Sequence, residues 1–168
     1  MRFSLALSSL FLSTLVASEG LSFFSGGQKI LDDKGEAVPG NNPLTHCKPD
    51  HSDDILELDH VNLSPNPPVP GQRLTIEAVG TLSERIEKGA YVDLSVKYGI
   101  IKLLSTRADM CDQVKNVEIE CPIEKGTTTI KKEVDIPKEI PGGTYTVFAD
   151  AYTEDERKIV CLEATVKF

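Results

Sequence analysis

Apolar and polar residues alternate along most of the chain after residue 54, as they do in strands that bury one face. The alternation is clearest where six residues occupy every second position: Ala90, Val92, Leu94, Val96, Tyr98 and Ile100. Further strands are predicted at residues 54–63, 74–82, 128–136, 144–152 and 158–168. Turn-forming residues separate the segments, as at Lys88-Gly89 and Pro141-Gly142-Gly143. Six or seven half-buried strands without a helical stretch predict an all-β fold, a two-sheet antiparallel β-sandwich.

An immunoglobulin domain has the same architecture, but two features oppose membership of that family. Immunoglobulin domains usually pack a tryptophan against the disulfide between their sheets, and this chain has no tryptophan. Cys111 and Cys121 also lie too close in sequence to join two sheets. We therefore expect an immunoglobulin-like sandwich outside the immunoglobulin family.

The first 18 residues have the features of a secretory signal peptide. Arg2 supplies a positive start, residues 3–16 are mostly apolar, and Ala17-Ser18 offers small residues for cleavage. A retained membrane anchor is the alternative, although the run is shorter than the ~20 residues of a membrane span. Residues 19–41 lack periodicity and are interpreted as a flexible segment or pro-segment, and residues 42–168 as the sandwich domain. These features predict a protein of the secretory pathway, in the vacuolar lumen or outside the cell.

The chain is acidic, with 18 Lys and Arg against 26 Asp and Glu and a formal net charge of −8. Loss of a signal peptide containing Arg2 would leave 17 basic side chains against 26 acidic ones, a charge of −9. Nucleic-acid binding needs clustered Lys and Arg to neutralise phosphates, so it is not expected. Any contact with an anionic membrane at neutral pH should be transient.

Four cysteines lie beyond the signal peptide: Cys47, Cys111, Cys121 and Cys161. An even number in an oxidising compartment predicts two disulfides, for which three connectivities exist. The ten-residue separation of Cys111 and Cys121 would suit a small stapled loop, which would leave Cys47 to reach Cys161.

No group of residues supports catalysis or metal binding. His46 and Cys47 are adjacent, so on an extended chain their side chains point in opposite directions, and Cys47 is expected to be oxidised. Five potential ligands lack an ordered metal-binding spacing: His51, Asp53, Asp54, Asp59 and His60. Serine-hydrolase, zinc-protease and phosphate-loop motifs are absent from the sequence. We therefore predict no catalytic residue, no metal ligand and no cofactor.

Small residues occupy several positions that the alternation turns inward: Ala78, Gly80, Ala149 and Ala151. They leave either closely packed sheets or an unfilled slot, and the residues alone favour close packing because native cores rarely keep voids. Between Tyr98 and Leu104 the chain is apolar on both faces. That segment is either a strand buried on both sides or a surface with a second partner, such as a lipid or a membrane.

Three motifs carry a resemblance to a known family. They are Cys121-Pro-Ile-Glu-Lys-Gly126, Ile136-Pro-Lys-Glu-Ile-Pro-Gly-Gly-Thr-Tyr-Thr-Val147, and Val160-Cys161. Together they resemble the ML lipid-recognition family over residues 42–168, and most closely its fungal phosphatidylglycerol/phosphatidylinositol transfer proteins. The secreted Niemann–Pick type C cholesterol carrier is a more distant relative. The resemblance implies a monomer with Cys47–Cys161 and Cys111–Cys121 disulfides and an apolar lipid cavity between the sheets.

The resemblance also implies a function without covalent chemistry. The protein would bind one phospholipid (phosphatidylglycerol or phosphatidylinositol) or sterol between its sheets and carry it between membranes, touching each membrane briefly. Carried over by position, four residues become the entrance, Leu103, Leu104, Ile136 and Ile140, with Val96 and Tyr98 deeper. The remaining candidates for lipid binding are Ile76, Ala78, Val92, Leu94, Ile100, Tyr145, Val147 and Ala149.

Two features bear on the choice of lipid. The sterol carriers show aromatic residues and a proline-rich run near the entrance, where this chain has aliphatic residues and Lys102, so a phospholipid with its head group outside is favoured. Lys102, Arg107 and Lys115 are candidate donors to a phosphate. The alternative function is a secreted adhesion or structural sandwich with a filled core.

Overall fold

A computed structural model describes residues 35–117 and 119–168, so the predicted signal peptide and residues 19–34 lie outside the described residues. These described residues form eight strands: β1 (Leu44–His46), β2 (Leu56–Ser64), β3 (Arg73–Leu82), β4 (Tyr91–Tyr98), β5 (Ile101–Asp109), β6 (Gly126–Asp135), β7 (Thr144–Tyr152) and β8 (Lys158–Lys167). Between β5 and β6 lie a short helix, α1 (Met110–Val114), and one 3-10 turn (Lys115–Val117). No helix in these residues is long and apolar enough to cross a bilayer.

The strands form two antiparallel sheets. Sheet A has the order β1-β8-β7-β4-β5, and sheet B has the order β2-β3-β6. Successive strands pair in the hairpins β2–β3, β4–β5 and β7–β8, and crossovers bring β6 beside β3 and β7 beside β4. The prediction of an all-β, two-sheet antiparallel sandwich is confirmed.

Three elements differ from the expected strand pattern. The chain reverses at Gly99 (φ +54°) and Ile100, inside the apolar run that the alternation assigns to a single strand, and β5 follows. Strand β1 is only three residues long, too short to show a period. Helix α1 was not expected either; the Asp109 carboxylate caps it by accepting a hydrogen bond from the Asp112 N–H at 3.0 Å.

The tightest packing lies at one end of the sandwich, here called the closed end. Its buried residues come from both sheets and from the segment after β3: Ile55, Leu82, Ile86, Ala90, Ala151, Ile159 and Val160. Ile86 and Ile123 exchange two backbone hydrogen bonds of 2.9 Å, which fasten the β3–β4 and β5–β6 connections together. The closed end therefore fixes the position of one sheet relative to the other.

Both disulfides implied by the family resemblance are present. Cys47–Cys161 joins the residue after β1 to β8, with Cα atoms 5.3 Å apart. Cys111–Cys121 closes the loop that contains α1, with Cα atoms 5.5 Å apart. They fix the start of the domain and the connection between the sheets.

Residues 36–41 pair with the sandwich. Ala37 bridges to Thr45, and Val38 is 4% exposed. The Val61 N–H donates to the Pro39 carbonyl at 2.8 Å, and the Leu63 N–H donates to the Asn41 carbonyl at 2.9 Å. The folded domain therefore includes several residues before position 42.

Candidate functional site

Strand register identifies the faces that the two sheets turn toward each other. Leu82 of β3, Ala90 before β4 and Ala151 of β7 belong to one buried cluster, and side chains on a strand alternate between faces. On sheet B the inward face therefore carries Leu74, Ile76, Ala78, Gly80 and Leu82 of β3, with Thr128, Ile130, Lys132 and Val134 of β6. On sheet A it carries Val92, Leu94, Val96 and Tyr98 of β4, with Tyr145, Val147 and Ala149 of β7.

A cavity of about 170 Å³ lies between these faces, next to the closed end. Its walls on sheet B are Leu56, Leu58, Ala78, Gly80, Leu82, Thr128 and Ile130. Its other walls are Ile86, Ile159 and Val160, with Met110, Val114, Ile119 and Ile123 from the β5–β6 connection. An apolar space of this size stays dry when empty and takes up apolar molecules.

Small residues on β3 shape the cavity. A Cβ atom at Gly80 would lie 2.8 Å from the Glu57 carbonyl oxygen and 2.9 Å from Leu56 Cδ1, so only glycine lets β2 approach this closely. Two residues further along, Ala78 contributes one methyl group to a wall where larger side chains would fill the space. The sequence thus keeps the cavity open with residues of minimal size.

Beyond the cavity, the inward faces are not sealed. Leu94 and Val96 of β4, Val147 and Ala149 of β7, and Ile76 of β3 are only partly buried, although all five are apolar and face the opposite sheet. A filled sandwich buries such positions between its sheets. Solvent therefore reaches the space between the sheets on this side of the cavity.

On one side of the sandwich, each sheet of the described chain ends in an edge strand that does not pair with the other sheet. Strand β5 ends sheet A and β6 ends sheet B, and the connection carrying α1 joins them, so both edges lie on one side of the sandwich. Within the described residues, no hydrogen-bonded ladder links β5 to β6. Leu104 pairs in register with Val96, so the apolar lining continues onto the exposed edge.

Aromatic residues pack at the end opposite the closed end. The Tyr145 ring lies 5.1 Å from that of Tyr98 and 5.6 Å from that of Phe168. The Tyr98 hydroxyl donates to the Gly142 carbonyl at 2.9 Å, and a Cβ atom at Gly143 would lie 2.3 Å from the Tyr98 ring. The Pro-Gly-Gly turn is therefore required for close approach of this ring.

A family model described as ML domain matches residues 41–168. The chain belongs to the ML domain family. It is 52% identical to the phosphatidylglycerol/phosphatidylinositol transfer protein of Pyricularia oryzae, over 100% of this chain and 93% of the relative. It is 51% identical to the Aspergillus fumigatus protein of that name (88% and 84% covered) and 56% identical to the Neurospora crassa one (78% and 75% covered).

Two solved structures share the ML domain fold. A Niemann-Pick type C2 protein from the Japanese carpenter ant aligns with a TM-score of 0.51 at 13% identity, over 70% of this chain and 96% of that one. Chicken MD-1, solved in complex with lipid IVa, aligns with a TM-score of 0.53 at 20% identity, over 79% and 95%. These likenesses establish the fold of the sandwich.

The residues predicted to bind lipid do not all lie in one place in this ML domain. Ala78 lines the cavity, and Val92 packs against the closed-end cluster. Seven lie on the partly open inward faces: Ile76, Leu94, Val96, Tyr98, Tyr145, Val147 and Ala149. Of the predicted entrance, Leu103 and Leu104 are exposed on β5, and Ile136 and Ile140 are partly buried beside the turn before β7. Ile100 is exposed at the β4–β5 turn.

Most of the residues that line the cavity were not among the lipid-binding residues predicted from the sequence. Three of them could have been inferred from the alternation of apolar and polar residues, which assigns them to an inward face: Leu56, Leu58 and Ile130. Met110 and Val114 lie on the short helix, where no pattern marked them.

Two of the three candidate phosphate donors are already paired. Arg107 donates two hydrogen bonds to the Asp93 carboxylate, at 2.8 and 2.7 Å, and these hold the pKa of Asp93 below its usual value. Lys115 pairs with Asp112 at 2.8 Å. Among the described residues, Lys102 has no acidic partner within ion-pair distance.

Ionisable residues cluster at the start of the domain, away from the cavity. The rings of His46 and His51 stack at 3.7 Å beside Asp54. Burial, and then the neighbouring His51, lower the pKa of His46, while burial raises the pKa of Asp54. In the part of the chain that the structure describes, no three His, Cys, Asp or Glu side chains are grouped to hold a metal ion.

Proposed function

We propose that this ML domain is a non-enzymatic lipid-transfer protein that carries one phospholipid or sterol between membranes. The observation that carries the proposal is the apolar cavity that lies beside a partly open, apolar space between the sheets. The names of the fungal relatives favour phosphatidylglycerol or phosphatidylinositol as the cargo. The mechanism needs no catalytic residue, because the lipid leaves chemically unchanged.

The size of the cavity determines how a lipid would lie. A volume of about 170 Å³ is below the ~300–1,000 Å³ of sites that enclose a drug-sized ligand. The cavity therefore takes the end of an acyl chain, and the rest of the lipid lies along the inward faces toward the edge strands β5 and β6. Exposing one methylene group of the lipid to water costs about 0.8 kcal/mol. A methylene that moves from the bilayer into apolar contact with the protein avoids this cost.

The tip of the β4–β5 hairpin is the proposed membrane contact. Ile100 is 99% exposed, and Ile101, Leu103 and Leu104 are 59%, 56% and 49% exposed. Residues 94–108 contain three basic side chains and no acidic one, in a chain with a net charge of −8. An apolar tip flanked by cations suits an anionic bilayer. Because its apolar surface continues onto the inward face at Leu104, a lipid would move between membrane and cavity without crossing water.

The same proposal covers processing and location. Residues 1–18 act as a signal peptide, and the residues between it and the paired residues 36–41 act as a removable pro-segment. Two disulfides fit an oxidising secretory compartment, either a vacuolar lumen or the extracellular space. The carrier acts as a monomer, since one chain supplies the whole cavity.

Transfer of labelled phosphatidylglycerol from donor to acceptor vesicles tests the function. We expect the rate to rise in proportion to protein concentration, with the lipid recovered intact. A filled structural sandwich would give no acceleration, and an enzyme would leave a modified lipid; either result overturns the proposal.

One variant tests the hairpin. Ile100→Gln should slow transfer severalfold without changing lipid binding in solution, because it alters only a fully exposed side chain at the proposed membrane contact. Thr129→Gln, on the exposed outer face of β6, is the matched control and should transfer normally. Equal rates for the two variants would remove the hairpin from the membrane contact.

A further inference from the structure

Strand β6 carries an unusual residue on its inward face. Exposure alternates along the strand, with the outward Lys131 and Glu133 exposed and the inward Ile130, Lys132 and Val134 partly buried. Among the described residues, Lys132 is the one Lys, Arg, Asp or Glu on the inward faces of β2 to β8. A lysine here interrupts an otherwise uncharged lining.

Among the described residues, no acidic side chain pairs with Lys132. On the opposite face of sheet B, Lys131 pairs with Glu77 at 2.8 Å, and Arg73 occupies both Glu133 and Asp135 at 3.1 Å. Within residues 35–117 and 119–168, Lys132 takes part in no ion pair and no side-chain hydrogen bond. Its register partner on β3 is Ile76. The ammonium group is therefore available to an anion that enters between the sheets.

Lys132 lies one inward position beyond the residues that line the cavity. Ala78 and Ile130 are register partners that both line the cavity, and the next inward pair away from the closed end is Ile76 and Lys132. Two residues along a strand span about 7 Å. The lysine stem has four methylenes, which pack on apolar surface while the charged end reaches toward water.

The distance from Lys132 to the closed end is slightly longer than one acyl chain. Six residues separate Lys132 from Gly126, the register partner of the cavity residue Leu82, which corresponds to about 20 Å of strand. The acyl chains of one bilayer leaflet span roughly 15 Å, half of the ~30 Å hydrocarbon core. A chain that ends in the cavity would therefore place its polar end within about 5 Å of the level of Lys132.

We propose that Lys132 binds the phosphate of the carried phospholipid as a charge-assisted donor and so favours phospholipid over sterol. This inference rests on the proposed lipid-transfer function and assigns its head-group contact. A sterol offers a hydroxyl at this level and gains much less from an ammonium group than a phosphodiester does.

Equilibrium binding of labelled phosphatidylglycerol, displaced by unlabelled sterol, tests the assignment. Lys132→Met keeps the unbranched apolar stem and removes the charge. We expect it to weaken phosphatidylglycerol binding by roughly tenfold to a hundredfold, the range for a hydrogen bond to a charged group, while sterol binding is unchanged or tighter. Lys132→Arg should retain most of the phospholipid preference.

The controls separate this contact from overall charge and from folding. Lys131→Met removes the same charge from the outer face of the same strand and should leave the ratio of the two affinities unchanged. Melting temperatures of all variants should stay near that of the wild type, because Lys131 is exposed and Lys132 forms no ion pair among the described residues. Millimolar inorganic phosphate should not displace the lipid; displacement would assign the site to free phosphate and overturn the inference.

Two failures are distinguishable. If the wild type binds neither phospholipid nor sterol, the proposed function falls and the inference falls with it. If the wild type binds phosphatidylglycerol and Lys132→Met keeps the wild-type ratio of affinities, the function stands and Lys132 is excluded as the head-group contact.

Discussion

Filling the cavity from β3 is the sharpest perturbation of the site. Ala78→Leu adds three carbon atoms at a wall of a space of about 170 Å³. If those atoms enter empty space, burial at about 0.8 kcal/mol per carbon stabilises the lipid-free protein by up to ~2.4 kcal/mol. At roughly 4 °C per kcal/mol for a domain of this size, the melting temperature rises by up to about 10 °C. A filled core would instead be overpacked and lose about 1–3 kcal/mol.

The same substitution should weaken lipid binding, because the added carbon atoms occupy the space that about three methylene groups of the acyl chain would fill. A loss of ~2.4 kcal/mol corresponds to roughly fiftyfold weaker binding, measured as the affinity for labelled phosphatidylglycerol. Thermal melting of the lipid-free protein supplies the other half of the assay. Val79→Leu, on the outer face of the same strand, is the control and should change neither quantity appreciably. A variant that melts at least 4 °C lower and binds lipid as the wild type does would refute the cavity as the acyl-chain site.

Two further predictions concern the domain around the cavity. Because burial holds the pKa of His46 below its ordinary 6.5, the unfolded chain takes up a proton that the folded one resists as pH falls below that value, so stability declines there. His46→Phe should lose less stability between pH 7 and pH 5 in chemical denaturation, and an equal loss in both proteins would contradict the role of His46. Replacing both Cys111 and Cys121 by alanine opens a ring with a sequence separation of 10 and should cost about 3 kcal/mol; a loss below ~1 kcal/mol in urea unfolding would show that the loop is held without the bond.

Most strands were predictable because a half-buried strand presents apolar side chains at every second position. The β4–β5 hairpin was not, because its turn consists of Gly99 and the apolar Ile100 and is followed directly by Ile101. The apolar run therefore continues through the reversal. Glycine suits the first turn position of such a hairpin, but one glycine inside an apolar run also fits a continuous strand.

The parts of the site that lie on strands were predictable, because alternation shows which side chains face inward. The parts that lie in the connection between the sheets were not. Ala78 was identified because a small residue at an inward position leaves space, and it lines the cavity. Met110 and Ile119 line it too, but they lie in the connection between the sheets, whose path alternation does not determine. Lys132 shares its parity with Ile130, so the sequence already held the signal for a charge on the inward face.

Counting lipid on the wild-type protein tests the central claim most directly. The protein is incubated with vesicles of phosphatidylglycerol, separated from them, and weighed intact by native mass spectrometry. We predict one phospholipid per chain, released unmodified by organic solvent. A chain that always returns without lipid, or that carries only altered lipid, would contradict the account of this sandwich as a lipid carrier.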